Sequence, residues 1–154
     1  MTAPLDKTDL RMLRLLQADG RLTNAELAGR AGVSPATCHR RTARLMQDGA
    51  ITGVRAMITP GQVGRGALVI VGVVLDRSTR ESFAAFEKAV AKLGVVLDCH
   101  LVAGDFDYFL KIRVRDMADF NRLHGETLIG LPGVRQTRTF FVMKEVVDNA
   151  RLEF

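Results

Sequence analysis

Apolar residues in the first third of the chain recur at helical spacing, and each run is bounded by residues that start or stop a helix. Leu5-Asp6 opens the first run: Asp6 caps, Asp9 falls at the third helical position, Leu5 staples to Leu10, and Gly20 is the stop. Leu22-Thr23 repeats this grammar, with Thr23 and Glu26 as a T-x-x-E capping box and Leu22 against Leu27, until Gly32. Ser34 caps a third helix with Pro35 at its first position, where a missing amide costs nothing. This helix runs to Gln47, ahead of Gly49. Short helix, glycine-containing turn and longer helix make a helix-turn-helix pattern, with an ordinary helical hairpin as its bland counterpart. Projected at about 3.6 residues per turn, Cys38, Thr42, Leu45 and Met46 face the core. Ala36, Arg40, Arg44 and Gln47 lie opposite, flanked by Thr37, His39 and Ala43.

The pattern then changes. "AITGVRAMI", residues 50 to 58, alternates weakly, as a short strand or wing would, and "TPGQVGRG", residues 59 to 66, has the composition of a linker. Beyond it the periods run β-α-β-β-α-β. A strand "ALVIVGVVL" at 67 to 75 precedes a helix opened by Ser78 and Glu81, with Phe83, Phe86, Val90 and Leu93 on one face. "VVLDCHLVA" and "DYFLKIRV" are close enough to pair as a hairpin around Gly104. Asp116 caps a helix with the stripe Met117, Phe120, Leu123, Leu128 and Leu131, and "PGV" turns the chain into a last strand, "RQTRTFFVMKEV". The fold class expected is therefore α+β. A helix-turn-helix domain over residues 1–58 and a linker over 59–66 precede a ferredoxin-like domain over 67–154.

Composition adds a direction to this division. Residues 1–60 hold nine Lys/Arg against five Asp/Glu, whereas residues 61–154 hold thirteen against twelve, so nearly all of the net +5 belongs to the helical third. No acidic residue interrupts Pro35 to Gln47. Small residues at the start of that helix and arginines one turn later suit a major groove, where base edges are approached closely and guanidinium groups reach guanine or phosphate. The longest apolar run, at nine residues, is far below the ~20 that span a bilayer, and no charged-then-apolar leader precedes Leu5, so a cytoplasmic protein without a membrane partner is expected. Cys38 and Cys99 lack the neighbours of a zinc or redox motif and read as buried thiols. Catalysis has little support: His39 lies on the basic helix, His100 and His124 on a strand and a helix, and no nucleophile motif accompanies them. No cofactor is expected. RNA binding is the other class open to a ferredoxin-like order, but such modules expose aromatic and basic residues on the sheet, and the first strand here is wholly aliphatic.

"GDFD", residues 104 to 107, poses the remaining question. Aspartates two apart between strands shape turns, hold cations with further oxygen ligands, or accept from a ligand's ammonium group, and spacing leaves all three open.

Three stretches, "LDKTDLRMLRLLQADGRLTNAELAGRAGVSPATCHRRTARL", "CHLVAGDFDYFLKIRVRDM" and "GETLIGLPGVRQTRTFFVMKEV", together resemble the Lrp/AsnC, or feast/famine, transcriptional regulators over almost the whole chain. The resemblance implies a winged-helix-like DNA-binding domain and an ACT-like effector domain. It also implies duplex DNA and a free amino acid as partners, with leucine or another aliphatic amino acid as the leading effector, and homodimers that assemble into octamers. The DNA-contacting set it implies is Thr23, Asn24, Ser34, Pro35, Ala36, Thr37, His39, Arg40, Arg41 and Arg44. For the effector it implies Gly104, Asp105, Asp107 and Tyr108, then Ile129, and Thr137, Thr139, Phe141 and Val142 on the last strand.

The first strand carries a further expectation. Residues 68 to 71, 73 and 74 are apolar on both of its faces, whereas helices on one side of the sheet cover only one. A partner subunit is the simplest cover for the other, so sedimentation is expected to show a homodimer at micromolar concentration; a stable monomer there would contradict the reading.

Overall fold

Reciprocal capping sets the start of the first helix, α1 (Lys7–Ala18): the Asp9 amide donates to Asp6 Oδ1 at 2.8 Å and the Asp6 amide to Asp9 Oδ2 at 3.1 Å. The same device opens α2 (Asn24–Ala31) through Thr23 and Glu26, and Ser34 with Pro35 opens α3 (Pro35–Gln47). Gly32, at φ 75°, ends α2 in the left-handed conformation that a side chain would resist. The computed structural model describes residues 4–154, which form two units. The first runs to Met57 and takes in Val147–Phe154; the second is Ile58–Val146.

In the first unit, Met12 of α1, Leu27, Ala28 and Ala31 of α2 and Cys38 of α3 make one buried cluster, and Leu45 is equally buried. Met46 does not join them. It is 49% exposed, because about 100° of helical rotation past Leu45 in the last turn of α3 takes it off the buried stripe. Residues 50–58 form no strand: Val54, Met57 and Ile58 are exposed and no ladder pairs with them among the described residues. The tail, expected to end the second domain, packs on α1 instead. Leu152 exchanges two 2.9 Å hydrogen bonds with the Gln17 side chain, and the Arg14 guanidinium lies over the Phe154 ring while donating to its carbonyl at 2.6 Å.

The second unit is a four-stranded antiparallel sheet, β1 (Ala67–Leu75), β2 (Val96–Leu101), β3 (Tyr108–Val114) and β4 (Val134–Phe141), in the order β2-β3-β1-β4. Helices α4 (Arg80–Val90) and α5 (Met117–Glu126) supply the crossovers, so the β-α-β-β-α-β order stands. Thr79, not Ser78, caps α4 and accepts from the Ser82 amide at 3.2 Å, since the chain stays extended one residue longer than the Ser78–Glu81 spacing suggests. In α5, Met117 at the first position is 52% exposed, and the buried stripe begins at Phe120. Leu128 belongs to a separate 3-10 turn, Leu128–Gly130.

Strand alternation sends Val69, Val71, Val73 and Leu75 toward Phe86, Val90, Phe120, Leu128 and Leu131, with Tyr108, Leu110, Ile112 and Val114 of β3 beside them. On the reverse face of β1 stand Leu68, Ile70, Gly72 and Val74. Phe106, from the β2–β3 connection, lies so close over Gly72 that an added Cβ would meet its ring at 2.7 Å. Part of the apolar reverse face is thus covered from within the chain, while Phe140 beside Ile70 is 47% exposed. Gly72→Val is expected to destabilise the second unit by about 1–3 kcal/mol through displacement of Phe106, measured as a lower denaturant midpoint; an unchanged midpoint would show that the ring moves freely.

Candidate DNA-binding helix and effector site

Asn24 fastens the two helix starts of the helix-turn-helix together, its Nδ2 donating to the Pro35 carbonyl at 2.9 Å. This bond places the N-terminal ends of α2 and α3 side by side, where unpaired amides and the helix dipoles favour a phosphate. Thr23 and Ser34 are the caps of those ends, and Ser34 Oγ also donates to Thr37 Oγ1 at 3.0 Å. Pro35, Ala36, His39 and Arg40 follow on the exposed face of α3. These eight expected DNA residues therefore share one surface.

Arg41 and Arg44 turn their guanidinium groups to the start of α1. Arg41 Nη1 bonds Asp6 Oδ2 at 2.7 Å and Asp9 Oδ1 at 2.8 Å, and Arg44 Nη2 bonds Asp9 Oδ2 at 2.5 Å. Asp9 is fully buried. Burial pushes its carboxyl pKa up, but the Asp6 amide, Arg44 and Arg41 together hold it below the ordinary aspartate value. Removing one partner of such a buried pair costs on the order of 3–5 kcal/mol, because it strands a charge. Asp9 was legible in sequence only as a cap, although its alignment with Met12 and Leu16 at i, i+3, i+7 marks it as a buried carboxylate in need of a cation.

In the second unit, register strings the expected β4 residues along the length of β1. Val73 pairs with Tyr108 on one side and Thr137 on the other, and Val71 and Val69 pair with Thr139 and Phe141. Thr137, Thr139 and Phe141 therefore share the helix-side face of edge strand β4. Phe141 stands edge-on to Phe120 at 5.3 Å between ring centroids, and His124 of α5 hydrogen-bonds Thr137 Oγ1 at 2.8 Å. That histidine was not anticipated here. Ile129 is exposed on the 3-10 turn packed against β4, and Val142, just past the strand, donates its amide to the Leu68 carbonyl.

The "GDFD" turn reaches the Val73–Leu75 end of β1, next to Thr137 and away from Phe141 and Val142. Asp107 donates its amide to the Val73 carbonyl at 2.9 Å, and its Oδ2 accepts from the Leu75 amide at 2.7 Å. Gly104 has φ 146°, and Asp105 is exposed. Asp107 thus has a structural duty at one oxygen, the turn-shaping role that spacing had left open.

Tyr108 is turned away from this group. Its hydroxyl donates to Glu87 Oε1 at 2.8 Å beneath α4, and burial together with that carboxylate pushes its pKa well above the usual tyrosine range. It borders a cavity of about 350 Å³ between α4 and β2, lined also by Val90, Leu93, Val96 and Cys99. Burial, with Glu87 nearby, raises the Cys99 thiol pKa as well. No other expected effector residue lines that cavity. Among the described residues no cluster of His, Cys, Asp and Glu is arranged to hold a metal ion, and no helix is long and apolar enough to cross a membrane.

Comparison with known proteins matches residues 5–52 to a winged helix-turn-helix DNA-binding model and residues 68–152 to the Lrp/AsnC ligand binding domain. Leucine-responsive regulatory proteins of Klebsiella pneumoniae and Escherichia coli K12 are each 47% identical over 148 residues, covering 96% of this chain and 90% of the relative. A transcriptional regulator from Neisseria meningitidis, crystallised as a complex with L-Met, superposes with a TM-score of 0.90 at 34% identity, covering 97% of both chains. The leucine response regulatory protein of Mycobacterium tuberculosis superposes at 0.85 with 28% identity, covering 96% of this chain and 99% of that one. With a helix-turn-helix unit joined to an Lrp/AsnC ligand-binding unit and this likeness along nearly its whole length, the chain belongs to the Lrp/AsnC family of transcriptional regulators.

Proposed function

We propose that the chain binds duplex DNA through the exposed face of α3, and that a free aliphatic amino acid, leucine first among them, binds at the β1 end of the second unit and retunes that binding. The protein acts as a regulator and not as an enzyme. Its DNA surface is Thr23, Asn24, Ser34, Pro35, Ala36, Thr37, His39 and Arg40.

The observation that carries the effector half is the register of β1, which gathers a carboxylate turn and a hydroxyl-bearing strand at one end of the sheet. A free amino acid presents an ammonium and a carboxylate a few ångströms apart and needs acceptors for one and donors for the other. Asp105 and Asp107 supply acceptors, the Thr137 and Thr139 hydroxyls supply donors, and Ile129, Phe141 and Val142 offer the apolar surface an aliphatic side chain fills. Relatives named for leucine and a neighbour crystallised with L-Met support this ligand class.

Tyr108 is buried with its hydroxyl on Glu87, and Phe141 and Val142 lie at the far end of β1 from the Asp107 turn, so one small ligand does not bridge the whole expected set within a single subunit. A site completed by a neighbouring subunit resolves this, and is consistent with dimers that assemble further into octamers. The effector then acts by binding one assembly state better than another, since only differential affinity shifts such an equilibrium.

A thermal-shift screen of the twenty amino acids is expected to single out the aliphatic ones, with stabilisation of about 2.7 kcal/mol at a hundredfold excess over Kd; no shift with any of them would contradict the proposal. Asp107→Asn keeps an oxygen for the Leu75 amide but removes the charge. It is expected to weaken the effector response roughly tenfold or more, the size of a lost charge-assisted hydrogen bond, while effector-free DNA affinity stays unchanged. A response with undiminished effector affinity would remove Asp107 from the site.

A further inference from the structure

Of the three arginines on α3, one faces outward and two are held against α1. The division is not a matter of length or flexibility, since all three have the same side chain. It centres on one carboxylate: Asp9 is fully buried, and its two oxygens accept from the Asp6 amide, Arg41 and Arg44, while Asp6 adds a second hold on Arg41 alone. Arg41 retains 25% and Arg44 36% side-chain exposure, and the Nε of each is buried without a partner. Both guanidinium groups therefore border the DNA-facing surface without being presented to it. Each also keeps an unpartnered Nε where it sits, so Asp9, with Asp6 assisting at Arg41, and not a full set of hydrogen bonds, keeps them there.

We propose that Asp9 is a positioning residue for DNA discrimination, which withholds Arg41 and Arg44 from the phosphate backbone and leaves Arg40 as the arginine of α3 that meets DNA. This rests on α3 being the DNA-facing helix. Phosphate contacts carry no sequence information, and each one neutralised steepens the salt dependence of binding by about 0.9 in the log-log slope. Two more free guanidinium groups would raise affinity for any duplex and erode the margin by which a chosen sequence is preferred. A buried acid that holds them back keeps non-specific binding low without removing the charges that tie α1 to α3.

The test is the slope of log K against log salt concentration for the full-length protein on a short mixed-sequence duplex. Asp9→Asn is expected to steepen the slope by about 1 to 2, and adding Arg44→Gln in the Asp9→Asn background is expected to return about 1 of that. A variant that folds, as judged by circular dichroism, yet keeps the wild-type slope would overturn the inference and leave Asp9 a purely structural pair. Should Asp9→Asn not fold, Arg44→Gln alone, which leaves Asp9 paired with Arg41, is compared with Arg40→Gln. Arg40→Gln is expected to lose about 1 in slope and Arg44→Gln none. Equal losses from the two would overturn the inference, although α3 would then still be the DNA-facing helix.

Discussion

Strand β1 has to be covered on both faces, and the second unit is arranged around that requirement. Its odd-numbered residues take the helices, which places Phe86 and Phe120 and fixes the register of β3 and β4 on either side. Its even-numbered residues include Gly72, whose missing side chain admits the Phe106 ring. Phe106 stands between the two aspartates of "GDFD", so seating it on Gly72 also anchors the turn that carries Asp105 and Asp107. The same strand thus holds the fold together and brings the Asp107 turn beside Thr137. A one-residue slip would turn Thr137 and Thr139 to the opposite face and Phe106 would meet a valine.

The helical unit depends on a buried charge where the second depends on apolar packing. Its apolar cluster is small, built on Met12, Leu27, Ala28, Ala31 and Cys38. The Asp9 pairing with Arg41 and Arg44 fixes the angle between α1 and α3 through directional bonds, which apolar contacts supply poorly. A helix that must meet DNA in one orientation gains from that rigidity. The tail of the chain adds Gln17 and Arg14 contacts on another stretch of α1.

Much of this was legible in the chain itself because capping residues and alternation are local signals. Asp6, Thr23, Ser34 and Asp116 each cap the helix they were expected to cap, and the aliphatic run at 67 to 75 became the central strand. What was misread depended on distant partners or on a one-residue offset. Ser78 and Thr79 are adjacent equivalents, and only the backbone decides between them. Met46 fits a helical stripe by count but lies where no opposing helix covers it. The pairing of Arg41 and Arg44 with Asp9 was hidden because an arginine on a basic helix face shows nothing in sequence of an acid more than thirty positions away. His124, paired with Thr137 across elements, was hidden for the same reason, and the tail's attachment to α1 joins the two ends of the chain.

On the proposed reading, an amino acid binds at the end of the sheet bordered by the Asp107 turn and by Thr137 and Thr139. A crystal structure of the full-length protein grown with the amino acid that stabilises it most tests this directly. Ligand density is expected with its ammonium group at the Asp107 turn of one subunit or its neighbour and its carboxylate within hydrogen-bond distance of the β4 hydroxyls. Density confined to the cavity between α4 and β2, with the β1 end filled by protein side chains, would contradict it.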